Sequence, residues 1–152
     1  MEIVYRKPKF EDIDAIYRLI NDYAAEGVML PKSRITLYET IYNMTVGEAE
    51  GRVVGVGALH VTWEELAEIR SLAVDKEYTH QHIGSEIVRR LIAEGKGFGV
   101  RKFFTLTYQP EFFGSVGFKV VDKSTLPHKI WRDCIDCPKF RNCDEIAMTL
   151  EV

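Results

Sequence analysis

The chain has 152 residues, of which 46% are hydrophobic and 28% charged, with a net charge of −3. That length suits one hydrophobic core, so residues 1–152 are expected to form a single domain. The slightly acidic balance gives no electrostatic ground for binding nucleic acid or an anionic membrane, and no apolar run is long enough to span a bilayer.

The opening MEIVYRKPKF reads as a strand over residues 3–6 and lacks the apolar stretch of a signal peptide. Pro8, Glu11 and Asp12 mark a helix start. Ile13, Ile16, Leu19, Ile20 and Tyr23 follow at helical spacing, and Gly27 ends the element. A loop with Lys32 and Arg34 leads to a shorter helix over residues 35–42. Residues 45–49 and 53–61 form a hairpin turning at Glu50-Gly51. The second arm carries Gly55 and Gly57, which marks a buried strand that another backbone or a ligand approaches closely. A turn over 63–65 precedes a strand over 67–74. Ile83, Ile87, Leu91 and Ile92 give one face of a helix over 83–93, closed by Gly95, Gly97 and Gly99. Then come a strand over 102–107, a brief helix over 110–116, a strand over 119–121, an irregular segment over 122–144 and a last strand over 146–152. This order describes a mixed α/β layer on one sheet.

The stretch LAEIRSLAVDKEYTHQHIGSEIVRRL is the most informative. An apolar strand ends at Val74, and an amphipathic helix opens near Gly84. A strand–turn–helix of this kind aims orphan backbone N–H groups at a helix N-terminus, where dipole and donors favour a phosphate.

That stretch, with FFGSVGF further on, resembles the GNAT acyltransferase superfamily. MLPKSRITLYE, AEIRSLAV and HKIWRDCIDCPKFRNCDEIAM are similar to the short single-domain N-acetylglutamate synthases of bacterial arginine biosynthesis. The resemblance implies an α/β fold with a central, mixed, mostly antiparallel twisted sheet flanked by helices. It implies acetyl-CoA as cosubstrate, held by Leu72, Ala73, Val74, Thr79, His80, Gln81, His82, Ile83, Gly84, Ser85 and Phe113. It also implies L-glutamate as acceptor, a small-molecule partner in place of nucleic acid or membrane, and a homodimer formed through sheet edges.

Three positions depart from the superfamily, two of them in its phosphate-binding pattern of Arg or Gln, two residues, Gly, one residue, Gly or Ala. Thr79 and His82 stand where the basic residue and the first glycine are expected. His82 narrows the conformations open to the turn. His80 and His82 can partly compensate for the lost phosphate contact as donors, more so when protonated. Phe113 stands where many relatives carry a proton-donating tyrosine.

Acetyl transfer to an amine requires a base, a polarised thioester carbonyl and relief of the departing thiolate. Glu68 matches a strand glutamate that acts as base in some members; an edge-strand surface acid is the plain alternative. Arg70 lies two residues on and shares its face, where a guanidinium can grip a carboxylate or pair with Glu68 itself. Lys32 and Arg34 lie on a loop that overhangs the acceptor site in the superfamily. The Leu72 and Val74 backbone should pair with the pantetheine arm, and the Leu72 or Ala73 amide can polarise the thioester. Tyr108, Ser115 or water can stand in for the missing tyrosine as proton donor; a core tyrosine bonded to backbone is the plain reading of Tyr108. His60, on a strand facing the sheet interior or the cofactor cleft, is expected to be a satisfied core histidine.

Cys134, Cys137 and Cys143 carry half of a metal spacing. His128 or Asp144 can complete a ligand set, but reduced thiols packed in a C-terminal flap over residues 122–144, anchored by Trp131, fit better, and no metal is expected. Their odd number and late clustering point to a reducing cytoplasm. The reading is an acetyl-CoA-dependent N-acetyltransferase acting on glutamate. Its alternatives are another small amine or a protein amine as acceptor, or a CoA-binding sensor without catalysis.

Overall fold

The computed structural model describes residues 2–79, 81–126 and 145–152. Seven strands form one sheet: β1 (Ile3–Arg6), β2 (Met44–Ala49), β3 (Arg52–Trp63), β4 (Leu66–Val74), β5 (Lys102–Thr107), β6 (Lys119–Val121) and β7 (Ile146–Glu151). Their order is β1-β2-β3-β4-β5-β7-β6, antiparallel throughout except for the β4–β5 pair. The helices are α1 (Ile13–Ala25), α2 (Arg34–Glu39), α3 (Ile83–Phe98) and α4 (Pro110–Ser115). This is the mixed, mostly antiparallel sheet with flanking helices expected from the chain.

The β2–β3 hairpin turns at Glu50-Gly51, with φ of 53° and 77°. Two positive φ values in a two-residue loop match the twist of the flanking strands. Helix α1 buries Ile13, Ile16 and Ile20 against Leu37, Met44, Val46 and Val56. Helix α3 buries Ile83, Ile87, Val88 and Leu91 against Val54, Leu59, Ile69 and Phe103. Each fully buried isoleucine contributes at most about 2–3 kcal/mol. The start of α1 is tied to the sheet through Arg6, which donates to both Asp12 oxygens (2.7 and 3.0 Å) and to Glu48 (2.8 Å). Hydrogen bonding from Arg6 holds the Asp12 carboxyl below its ordinary range.

Helix α3 sits close to the sheet because β3 presents glycines to it. A Cβ at Gly55 would lie 2.8 Å from Ile83, and one at Gly57 2.7 Å from Ile87. The glycines of the VVGVGALHV arm are thus spaces for a helix, which is the close approach their pattern signalled.

Several expected boundaries move. The helix expected over 35–42 stops at Glu39, because the Thr40 hydroxyl returns to the Thr36 carbonyl at 2.8 Å and a 3-10 turn over Ile41–Asn43 follows. A 3-10 turn over Phe10–Asp12 precedes α1. Strand β3 runs on to Trp63, expected in the turn, and only Glu64-Glu65 separate it from β4. The third helix does not end at residue 93. It continues five residues to Phe98, since Gly95 is a packing position: a Cβ there would lie 2.6 Å from the Phe103 ring. Gly99, at φ 99°, is the terminator. Of the irregular segment over 122–144, a 3-10 turn at Lys123–Thr125 is seen. Cys134, Cys137, Cys143, His128, Trp131 and Asp144 lie outside the described residues.

Two neighbouring helix glycines should therefore respond in opposite ways. Gly95→Ala drives a Cβ into the fully buried Phe103. That clash should exceed the roughly 1 kcal/mol of gained helix propensity and leave a net loss of about 1–2 kcal/mol. Gly97→Ala meets nothing within 4 Å, so it should gain about 0.5–1 kcal/mol. Urea unfolding of both variants checks this, and the reverse order would overturn the packing account.

Candidate active site

Strands β4 and β5 run side by side for only three pairs, Leu66↔Lys102, Ala67↔Phe103 and Glu68↔Phe104. Beyond Glu68, β4 keeps β3 on one edge, and among the described residues no strand pairs with the other. A bulge sharpens the divergence. Between Val56↔Ala73 and Ala58↔Arg70, β3 advances two residues and β4 three. Ser71 takes up the extra length at φ 55°, a left-handed conformation that a serine adopts at a cost of about 1 kcal/mol.

The parted strands open a cleft of about 940 Å³. Glu68, Arg70, Leu72, Ala73 and Val74 line it from β4; Thr79, His82, Ile83, Gly84 and Ser85 from the turn and the first residues of α3; Tyr108, Phe113 and Ser115 from the far side; and Lys32 from the α1–α2 loop. Two expected residues among the described ones do not join this lining. Arg34 ion-pairs with Asp14 and stacks 4.3 Å over the Tyr17 ring. Gln81 is exposed beside the cleft. His80 lies outside the described residues. His60 is half-buried opposite Glu68 in the β3–β4 register and is not among the residues that line the cleft.

The turn after β4 has the form that binds phosphate. His82 caps α3 at φ 62°, ψ 17°, with no side-chain cap hydrogen bond. The glycine normally expected at this position supplies the left-handed geometry, and here histidine adopts it. Gly84 packs beneath Phe112, whose ring would lie 3.3 Å from an added Cβ. Orphan N–H groups of the first helical turn accordingly open on the cleft.

Glu68 and Arg70 are ion-paired, Nε to Oε1 at 2.5 Å, with side-chain exposures of 12% and 27%. The Lys32 backbone is clamped by Asn21, whose amide nitrogen donates to the Lys32 carbonyl (3.0 Å) and whose oxygen accepts from its N–H (3.3 Å). Phe113 is buried between Phe112 and Phe118 in edge-to-face contacts. Its place belongs to the aromatic core and brings no proton donor. The Ser115 hydroxyl donates to the Phe112 carbonyl at 2.5 Å.

Sequence reasoning missed Tyr23 and Thr105 as cleft residues. Tyr23 reads only as part of an apolar helix stripe, yet its hydroxyl donates to the Val74 carbonyl at 2.6 Å. Burial raises its pKa, and one lone pair of that carbonyl is committed before any ligand arrives. Thr105, almost fully buried, donates its hydroxyl to the Ile69 carbonyl at 3.1 Å. The alternating threonines of β5, Thr105 and Thr107, were the available signal: polar side chains within an apolar strand.

Residues 13–118 match the Acetyltransferase (GNAT) family. The chain belongs to that family. It is an N-acetyltransferase with acetyl-CoA as cosubstrate. Among relatives of this GNAT chain, an uncharacterized N-acetyltransferase of Chlorobaculum tepidum is 41% identical over 143 residues, which cover 94% of this chain and 92% of the relative. An amino-acid acetyltransferase of Mycobacterium tuberculosis is 37% identical over 131 residues, covering 84% and 75%. A Mycobacterium tuberculosis structure solved in complex with CoA superposes with a TM-score of 0.85 at 32% identity, covering 98% of this chain and 99% of that one. N-acetylglutamate synthase of Neisseria gonorrhoeae, complexed with coenzyme A and N-acetyl-glutamate, shares the fold at a TM-score of 0.90 and 23% identity. It matches 99% of this chain, which spans 35% of that longer protein.

The residues present fit the cosubstrate. Among the described residues the β4 edge beyond Glu68 is open to an extended amide-bearing arm, and the cleft continues to the helix N-terminus that suits a pyrophosphate. The strain at His82 gives a direct check. His82→Gly should stabilise the fold by about 0.5–1 kcal/mol, and His82→Val should cost at least as much, because a β-branched residue tolerates positive φ least. Denaturant unfolding measures both, and equal stability of the two variants would contradict the strained turn.

Proposed function

We propose that this GNAT enzyme transfers the acetyl group to the α-amine of L-glutamate, as a step of arginine biosynthesis in the cytoplasm. The observation that carries the reading is the meeting of two cationic side chains, Lys32 and Arg70, with the Glu68 carboxylate in one cleft. A dicarboxylic amino acid needs two positive partners and one base. The naming of the Mycobacterium tuberculosis relative as an amino-acid acetyltransferase supports the class of acceptor.

Glu68 takes the proton from the acceptor ammonium, through one or more waters, since only the neutral amine attacks. Arg70 gives its Nε to Glu68, and the planar five-donor fork of a guanidinium is the group that suits a substrate carboxylate. With Arg34 held by Asp14, the second carboxylate falls to Lys32, which lines the same cleft. When bound, acetyl-CoA supplies an activated thioester. The chain contributes the β4 backbone that orients it, with the Leu72 or Ala73 amide aimed at the thioester carbonyl. Tyr108 and Ser115, both lining the cleft, are the candidates to return a proton to the departing thiolate.

The test follows free thiol while purified protein, acetyl-CoA and each amino acid are mixed in turn. Release should depend on glutamate. Equal release with neutral amino acids, or none with glutamate, would reject the acceptor. In the same assay, Glu68→Gln should lower kcat about 100-fold. Arg70→Ala should raise the glutamate KM on the order of 10- to 100-fold, the loss of a charge-assisted contact of about 1.5–3 kcal/mol. An unchanged kcat in Glu68→Gln would remove Glu68 from its role.

A further inference from the structure

The strand fork that opens the cleft is bridged by the Thr105 side chain. Backbone pairing of β4 with β5 ends at Glu68↔Phe104. One residue further on, the Thr105 hydroxyl donates to the Ile69 carbonyl at 3.1 Å, with Thr105 and Ile69 only 3% and 2% exposed. Thr105 stays in register with Met148 of β7, so the backbone of β5 remains in the sheet while its side chain reaches back across the gap.

A backbone N–H at this point would draw the two strands to the usual spacing of about 4.8 Å and continue the ladder. A hydroxyl satisfies the same carbonyl from further away. The bond therefore sets where the ladder stops and how far the strands stand apart. Ile69 lies between Glu68 and Arg70 on the strand, so the same bond also fixes the height at which the carboxylate and the guanidinium face the cleft.

We propose that Thr105 is a positioning residue for acetyl-CoA: its hydroxyl holds the β4–β5 fork at the opening that admits the cosubstrate. Without the donor, the buried Ile69 carbonyl takes a new partner, either water or a backbone N–H of β5. The first widens the fork and the second closes it. Both displace the β4 edge on which the cosubstrate is laid.

Calorimetric titration with acetyl-CoA and with CoA tests this independently of any acceptor, so a wrong acceptor assignment does not affect the result. Thr105→Val keeps the shape and removes the donor; it should weaken binding of both ligands about tenfold. Thr105→Ser keeps the donor and should bind within twofold of the wild type. Thr105→Cys, a weak donor of similar size, should fall between them and serves if the valine variant does not fold. Thermal melting of the ligand-free variants accompanies each titration. A valine or cysteine variant that melts lower but binds as tightly as the wild type would show that the bond serves stability alone. A serine variant as weak as valine would assign the effect to the lost methyl group. Either result overturns the proposal.

Discussion

The site depends on an interrupted pairing. β4 must be a sheet strand to be rigid, and it must lack a partner along half its length to be useful. The chain meets both demands by joining β4 and β5 for three residue pairs and then separating them. Everything nearby accommodates that separation. The bulge at Ser71 turns the β4 backbone, the Tyr23 hydroxyl secures the strand's last carbonyl, and on β5 the Thr105 hydroxyl meets the Ile69 carbonyl while the Thr107 hydroxyl accepts the Gln109 N–H. The arrangement shows how a sheet can hold a binding edge without the aggregation hazard of an open one, because the edge lies inside a cleft.

Helix α3 is the second constraint. Its N-terminus has to reach the end of β4, and its body has to lie close to β3. Gly55 and Gly57 permit the close approach, and Gly84 and Gly95 let the helix pass under Phe112 and over Phe103. The strain accepted at His82 belongs to the same geometry. The preceding turn must enter the helix through a left-handed residue, and the close fit of the helix body holds even a histidine there.

Much of this was legible in the sequence because it is local. The hairpin at Glu50-Gly51, the strands over 3–6 and 119–121 and the strand–turn–helix around Val74 follow from turn chemistry and periodicity. Local propensity misread Gly95 as a stop, because glycine's usual cost in a helix is offset here by contact with Phe103, a residue on a distant strand. Arg34 shows the same limit. Its place in a basic loop resembled that of Lys32, but Asp14 and Tyr17, one helix away, take it from the cleft. The shared face of Glu68 and Arg70 was fixed by the period of two. Their mutual ion pair was one of two outcomes that spacing allowed. Thr105 and Tyr23 stayed hidden because each acts on the carbonyl of a residue 36 or 51 positions away.

The three-pair joint between β4 and β5 also bears on how the chain assembles. Strands β2, β3 and β4 follow one another through tight turns, so they can pair early and locally. The β4–β5 joint must wait for α3 to dock, since it closes a span of 36 residues between Leu66 and Lys102 and loop closure has to be met before the contact returns any stabilisation. The cleft is thus a seam between the earliest part of the sheet and its later part. A seam held by few backbone bonds is where native proteins open first. A ligand lying across it contacts both sides, so acetyl-CoA acts as mortar as well as reagent, and the loaded enzyme resists local opening where the empty one is weakest.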